Sequence, residues 1–160
     1  MTAASETPLA RLTRIATLLA AVLVLCGAAR AQFSMVPAPQ RVAAPAPSEA
    51  EIEKEYRIDA GRHLYNVYAS RIYRGRLPPL LYSVMIVETE IDATGNVVSV
   101  SVVRKPAVDE VAPWVISMIK RAAPFPAPRH LPGGMVRYLE IWLVDRSGRF
   151  QVDSLTEGQH

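Results

Sequence analysis

The stretch "VMIVETEIDATGNVVSVSVV", Val84 to Val103, decides the fold. Leu81, Met85, Val87 and Ile91 take the odd positions of its first half, and Val84, Ile86, Glu88 and Glu90 the even ones. The even face begins apolar and ends acidic, the pattern of a strand with one face partly covered. Asp92 to Asn96 carries turn residues. Val97 to Val103 is rich in β-branched side chains, with serines at 99 and 101. The whole reads as an antiparallel hairpin.

Upstream, Ser48-Glu49-Ala50-Glu51 has the S-x-x-E form of a capping box opening a helix. Glu49, Glu51, Glu53 and Glu55 crowd its first turns and Arg71, Arg74 and Arg76 its far end, a polarity that suits the helix dipole. Ile52, Tyr56, Ala60, Leu64, Val67 and Ile72 mark one apolar face. A kink is expected at Gly61 and a stop at Pro78-Pro79.

Downstream, Val108 to Ala122 returns to helical period, with Val108, Val111, Ala112, Val115, Ile119 and Ala122 on one side. Asp109 and Glu110 stand near its start, Lys120 and Arg121 near its end. The segment "RAAPFPAP", residues 121–128, then places three prolines around Phe125. Proline fixes φ and lacks an N–H, so this run is neither helix interior nor central strand. It reads as a stiff ramp that delivers Phe125 into the core. After a loop through His130 to Gly134, Val136 to Val144 forms a third strand, with Leu139, Ile141 and Leu143 on one face and Tyr138, Glu140 and Trp142 on the other. Asp145 to Gly148 turns the chain. A short fourth strand in Arg149 to Leu155 is expected to cover the edge of the third. The expected architecture is α+β: two helices on one face of a three- to four-stranded antiparallel sheet, in the order α-β-β-α-β-β.

The N-terminal part has another character. Arg11 and Arg14 precede an apolar run from Ile15 to Cys26, followed by Ala29-Arg30-Ala31. This is the layout of a secretory signal with an A-x-A cleavage site, Ala29 and Ala31 preceding the break and Gln32 following it. The run falls short of the roughly 20 residues of a spanning helix. The expected plan is a signal or short anchor over 1–31, a Pro/Ala-rich linker over 32–47, a folded domain over 48–155 and a flexible tail over 156–160. The expected location is the periplasm, with an inner-membrane anchor facing it as the alternative. Membrane contact then requires the N-terminal segment to stay uncleaved. Leu25 before Cys26 disfavours a lipoprotein site, so a cleaved chain carries no cysteine and its core must suffice without disulfides. Taking the three arginines and one glutamate of residues 1–31 from 18 basic and 15 acidic residues leaves 15 against 14. The basic character belongs mostly to the leader, and a nucleic-acid partner loses its electrostatic support.

Patterns that carry chemistry are scarce. The chain has no G-x-S-x-G, H-E-x-x-H, P-loop or dinucleotide fingerprint. His63 fits the edge of the first helix's packed face and reads as structural, while His130 and His160 lack the i, i+4 partner of a helical metal site. Glu88, Glu90 and Asp92 share a strand face but form a linear row, whereas a hard cation needs oxygens converging from several segments. The expectation is no catalytic residue, no metal and no cofactor.

Residues 48–155 resemble the C-terminal domain of the TonB/TolA family of periplasmic energy transducers. The matching parts are the lead helix ending in Tyr73-Arg-Gly-Arg-Leu-Pro-Pro79, the turn Asp92-Ala-Thr-Gly95-Asn-Val97 with its valine-rich strand, the acidic-started helix, and Ala122-Ala-Pro124-Phe125-Pro126-Ala-Pro128. The D-x-x-G-x-V turn is common; the helix running into A-x-P-F-P-x-P is the specific part. The resemblance implies a non-enzymatic transducer or adaptor that meets outer-membrane receptors or Tol-Pal-like envelope partners, often by adding a partner strand to a sheet edge. It implies a partner-binding edge at the third strand, with Tyr138, Glu140 and Trp142, joined here by Phe150 and Val152 of the fourth. A second reading is a secreted cell-envelope module for a small ligand or glycan, with Trp142 and Tyr138 as an exposed aromatic platform.

Overall fold

A computed structural model describes residues 44–159. The leader, the cleavage residues Ala29, Ala31 and Gln32, and the linker up to residue 43 lie outside them. The described chain forms α1 (Glu53–Val67), β1 (Ser83–Ile91), β2 (Val97–Arg104), α2 (Val111–Arg121), β3 (Val136–Val144) and β4 (Phe150–Val152), with 3-10 turns at Ala69–Arg71, Pro132–Gly134 and Asp153–Leu155. This is the expected α+β order.

The four strands make one antiparallel sheet in the order β2-β1-β3-β4. The central β1–β3 register runs unbroken from Ser83 opposite Val144 to Ile91 opposite Val136. The outer β1–β2 register breaks twice, leaving Val98 and Val103 as extra residues on β2. Both helices pack on one face. Met85, Val87 and Ile91 of β1, Tyr138, Trp142 and Val144 of β3, and Phe150 and Val152 of β4 are buried there. Tyr56, Ala60 and Leu64 from α1 meet them, as do Val111, Trp114, Val115, Met118 and Ile119 from α2. Phe150 is the aromatic hub: it stacks on Trp142 at 4.7 Å and meets the edges of Tyr65, Tyr68 and Trp114.

Three local expectations are corrected. Ser48 does not cap α1, whose first flanking residue is Ile52 without a side-chain cap. Ser48 instead donates its N–H to the Ala127 carbonyl and its hydroxyl to Asp59, so its backbone is engaged with the proline ramp before the helix can begin. The α-helix stops at Val67 rather than near Pro78. The Tyr68 hydroxyl is fastened to the Met118 carbonyl, and Tyr73 donates its N–H to Phe150. Those ties draw the chain away from the helix axis, and Arg71, Arg74 and Arg76 fall beyond α1. Gly61 lies inside the continuous helix. A Cβ there would stand 2.9 Å from Ser154 Oγ and 3.3 Å from Val152 Cγ2, so close approach of β4 and the following turn is its role. In the last described residues the Leu77 N–H bonds to the Gly158 carbonyl, and Thr156 Oγ1 donates to Gln151.

Candidate functional site

The two motif pieces separated by the second helix are physically joined. Gly95 of the Asp92–Asn96 turn has φ +88°, and its carbonyl accepts the Phe125 N–H at 2.7 Å. A Cβ on Gly95 would run into the Phe125 carbonyl, so backbone lies directly on backbone. The turn is built around the Asp92 carboxylate, which accepts from Thr94 Oγ1 at 2.7 Å and from the Thr94 and Asn96 amides. The Thr94 hydroxyl leads the hydrogen bonds that hold this exposed carboxyl down to about 2.

The ramp is equally well partnered. His63 Nε2 bonds to the Ala122 carbonyl at 2.7 Å, the Tyr56 hydroxyl donates to Pro126 at 2.8 Å, and Ser48 takes Ala127. Phe125 is buried against the His63 ring at 4.9 Å, and the Ala123–Pro124 peptide is cis. Asp92, Gly95, Val97, Pro124, Phe125, Pro126 and Pro128 therefore belong to one connected neighbourhood, in which the Ala122, Pro126 and Ala127 carbonyls take donors from α1 and its approach.

The residues expected at the partner-binding edge have their side chains in the core. Tyr138, Glu140, Trp142, Phe150 and Val152 are all 2% exposed or less, on the helix-covered face. The alternation of β3 is as expected, but its Tyr-Glu-Trp face is the inner one and its Leu-Ile-Leu face the outer. Glu140 misled because a carboxylate normally marks solvent. Here it accepts from Arg57 Nε and Nη2 and from the Ser154 hydroxyl, and Arg57 also reaches Asp153 at 2.7 Å. A buried charge with a paired cation and several donors is admissible in a core. Burial drives the Tyr138 phenol upward in the same neighbourhood. With Trp142 1% and Tyr138 2% exposed, neither is a platform for a sugar ring.

The outer sheet face has no described helix over it. Arg137 joins Glu90 at 3.3 Å and Glu88 at 3.7 Å, and Ser99 donates to Glu90. The even carboxylates of β1 are thus paired with a single cation, and among the described residues no group of three or more His, Cys, Asp or Glu is placed to hold a metal ion. Leu139 is exposed on this face. No described helix is long and apolar enough to cross a membrane.

The two outermost strands differ, and β4 covers only Trp142 to Val144 of β3, so the outer side of Val136 to Ile141 has no described strand partner. Beyond β4, Ile72 bridges to Phe150, the Tyr73 N–H bonds to the Phe150 carbonyl, and the Val152 N–H meets the Tyr65 hydroxyl. The Gln151 amide donates to the carbonyls of Tyr73 and Gly75, clasping that segment in place. Beyond β2, no described backbone group pairs with the outer row of N–H and C=O groups. Val98 and Val103 stand 55% and 58% exposed on that strand. Sequence reading missed this edge because strand order depends on the non-local β1–β3 pairing; its one local signal is the long, uncharged, β-branched run itself.

Compared with protein-family models, curated proteins and solved structures, the chain matches none.

Proposed function

We propose that residues 44–159 form a non-enzymatic interaction module of the cell envelope, comparable in role to a TonB/TolA C-terminal domain, which takes up a partner by strand addition along β2. The observation that carries this reading is the contrast between the two outermost strands: β4 is covered by its own chain, and β2 presents a free row of backbone donors and acceptors along its whole length, longer than the stretch of β3 left beyond β4. Strand addition draws affinity from main-chain hydrogen bonds and specificity from alternate side chains, so it asks for no catalytic group. The order of the elements supports it, as does the A-x-P-F-P ramp locked onto the hairpin turn. Buried polar groups support it too, since Glu140, Gln151 and His63 are all spent on structural bonds.

The partner is an envelope protein, either an outer-membrane receptor or a component of a Tol-Pal-like assembly, and the compartment is the periplasm. The test is a photo-crosslinking side chain at Ser101 on β2 and, separately, at Leu139 on the outer face, introduced in the living cell. Ser101 should capture an identified envelope protein several-fold more than Leu139 does. Equal capture from both positions, or capture from Leu139 alone, would overturn strand addition along β2.

A further inference from the structure

The free strand has a property that partner binding does not require. Val97-Val98-Ser99-Val100-Ser101-Val102-Val103 reads the same in both directions about Val100. An antiparallel pair of identical strands related by a two-fold axis places residues i and j opposite when they are equidistant from the axis. With the axis at Val100, every residue of this run meets its own kind: Val100 meets Val100, Ser99 meets Ser101, Val98 meets Val102, and Val97 meets Val103. We propose that β2 pairs with β2 of a second copy of this chain, giving a two-fold dimer with one continuous eight-stranded sheet.

Charge at the ends of the strand agrees with that occupant. The seven residues carry no charge, so nothing repels at the centre. One step beyond, Arg104 of one copy comes opposite Asn96 of the other, and Lys105 opposite Gly95. Both lie in the turn organised by Asp92, whose carboxylate is kept ionised by the hydrogen bonds it accepts from Thr94 and Asn96. The two-fold repeats this basic-to-acidic meeting at the other end. The exposed Val98 and Val103 both gain cover. The two register breaks leave only Ser99 to Val102 in regular pairing with β1, so the straight edge is short and the association weak and reversible. The inference rests on β2 being open, as in the proposed function, and is independent of who the envelope partner is. A dimer of this kind occludes the binding edge until a partner strand displaces the second copy.

The test uses the full chain with Cys26→Ser and a single cysteine on β2. Across the axis the two Val100→Cys residues stand directly opposite, within disulfide reach. Two Val103→Cys residues are displaced by six positions, roughly 20 Å along the strand. Mild oxidation should give a covalent dimer from Val100→Cys at least several-fold above that from Val103→Cys, and mixed Val97→Cys and Val103→Cys chains should join to each other. The chain without added cysteines should show an apparent mass that doubles with concentration in sedimentation, and Arg104→Glu with Lys105→Glu should shift that rise to higher concentration. A chain of single mass at every concentration, or equal crosslinking at 100 and 103, overturns the dimer. If Val100→Cys stays monomeric while Ser101 captures an envelope protein, self-pairing fails and strand addition stands. If the chain dimerises and Ser101 captures no other protein, self-pairing stands and strand addition by an envelope partner fails.

Discussion

At Phe125 and Gly95 two distant parts of the chain rest backbone on backbone. Phe125 is 1% exposed, so Phe125→Ala should cost about 3–5 kcal/mol in chemical denaturation; an essentially neutral variant would remove its packing role. The two glycines Gly95 and Gly75 separate conformational strain from contact. Both have positive φ, but only at Gly95 does a Cβ meet another backbone, and nothing stands within 4 Å of the one at Gly75. Gly75→Ala should therefore cost about 1–2 kcal/mol from conformation alone, and Gly95→Ala clearly more. Equal losses in thermal melts would contradict the close approach. His63 supplies a pH dependence. Burial holds its imidazole below the ordinary range, while the Ala122 carbonyl pulls the other way. The unfolded chain then binds a proton near pH ~6.5 that the folded chain refuses. The associated stability is present above that pH and falls as the pH drops from about 7 toward 5. His63→Gln, which does not titrate, should flatten the slope of denaturation midpoint against pH in that window. An unchanged slope would assign the effect to another group.

At the scale of elements, alternation was the readable signal. β1 and β3 fall within a residue or two of where period-two patterning puts them, because one face of each is buried and the other is not, and β2, which has no buried residue, was readable from its β-branched run. The ends of α1 were not readable. Ser48-x-x-Glu51 satisfies every local criterion for a cap, yet the proline ramp, nearly eighty residues downstream, claims Ser48. Arg71 to Arg76 looks like a basic helix terminus, yet pairing of Ile72 and Tyr73 with β4 decides where the helix stops. Glu140 shows the same limit from inside the core: its partners Arg57 and Ser154 come from two other elements. Glu140→Ala leaves Arg57, which is only a quarter exposed, with Asp153 alone and removes the acceptor of Ser154, and should destabilise by about 3 kcal/mol, the lower end for breaking a buried pair. A loss well under 1 kcal/mol in urea denaturation would show the pair to be as weak as a surface bridge.

For the whole molecule, the composition of the fold was legible and the identity of its open edge was not. Helix count, strand count and order follow from local periodicity. Which strand ends up outermost depends on β1 choosing β3 as its second neighbour and on the 72–75 segment sealing β4, both long-range choices. The edge assigned by resemblance therefore carries core side chains, while the backbone of Val136 to Ile141 stays beyond the reach of β4. That β2 offers its outer backbone along its whole length is the central claim, and amide hydrogen exchange in dilute solution, where any dimer is dissociated, tests it residue by residue. Alternate amides of Val97 to Arg104 should exchange quickly while those of β1, of Trp142 to Val144 and of Phe150 to Val152 are protected. Uniform protection along β2, or rapid exchange along β4, would contradict it.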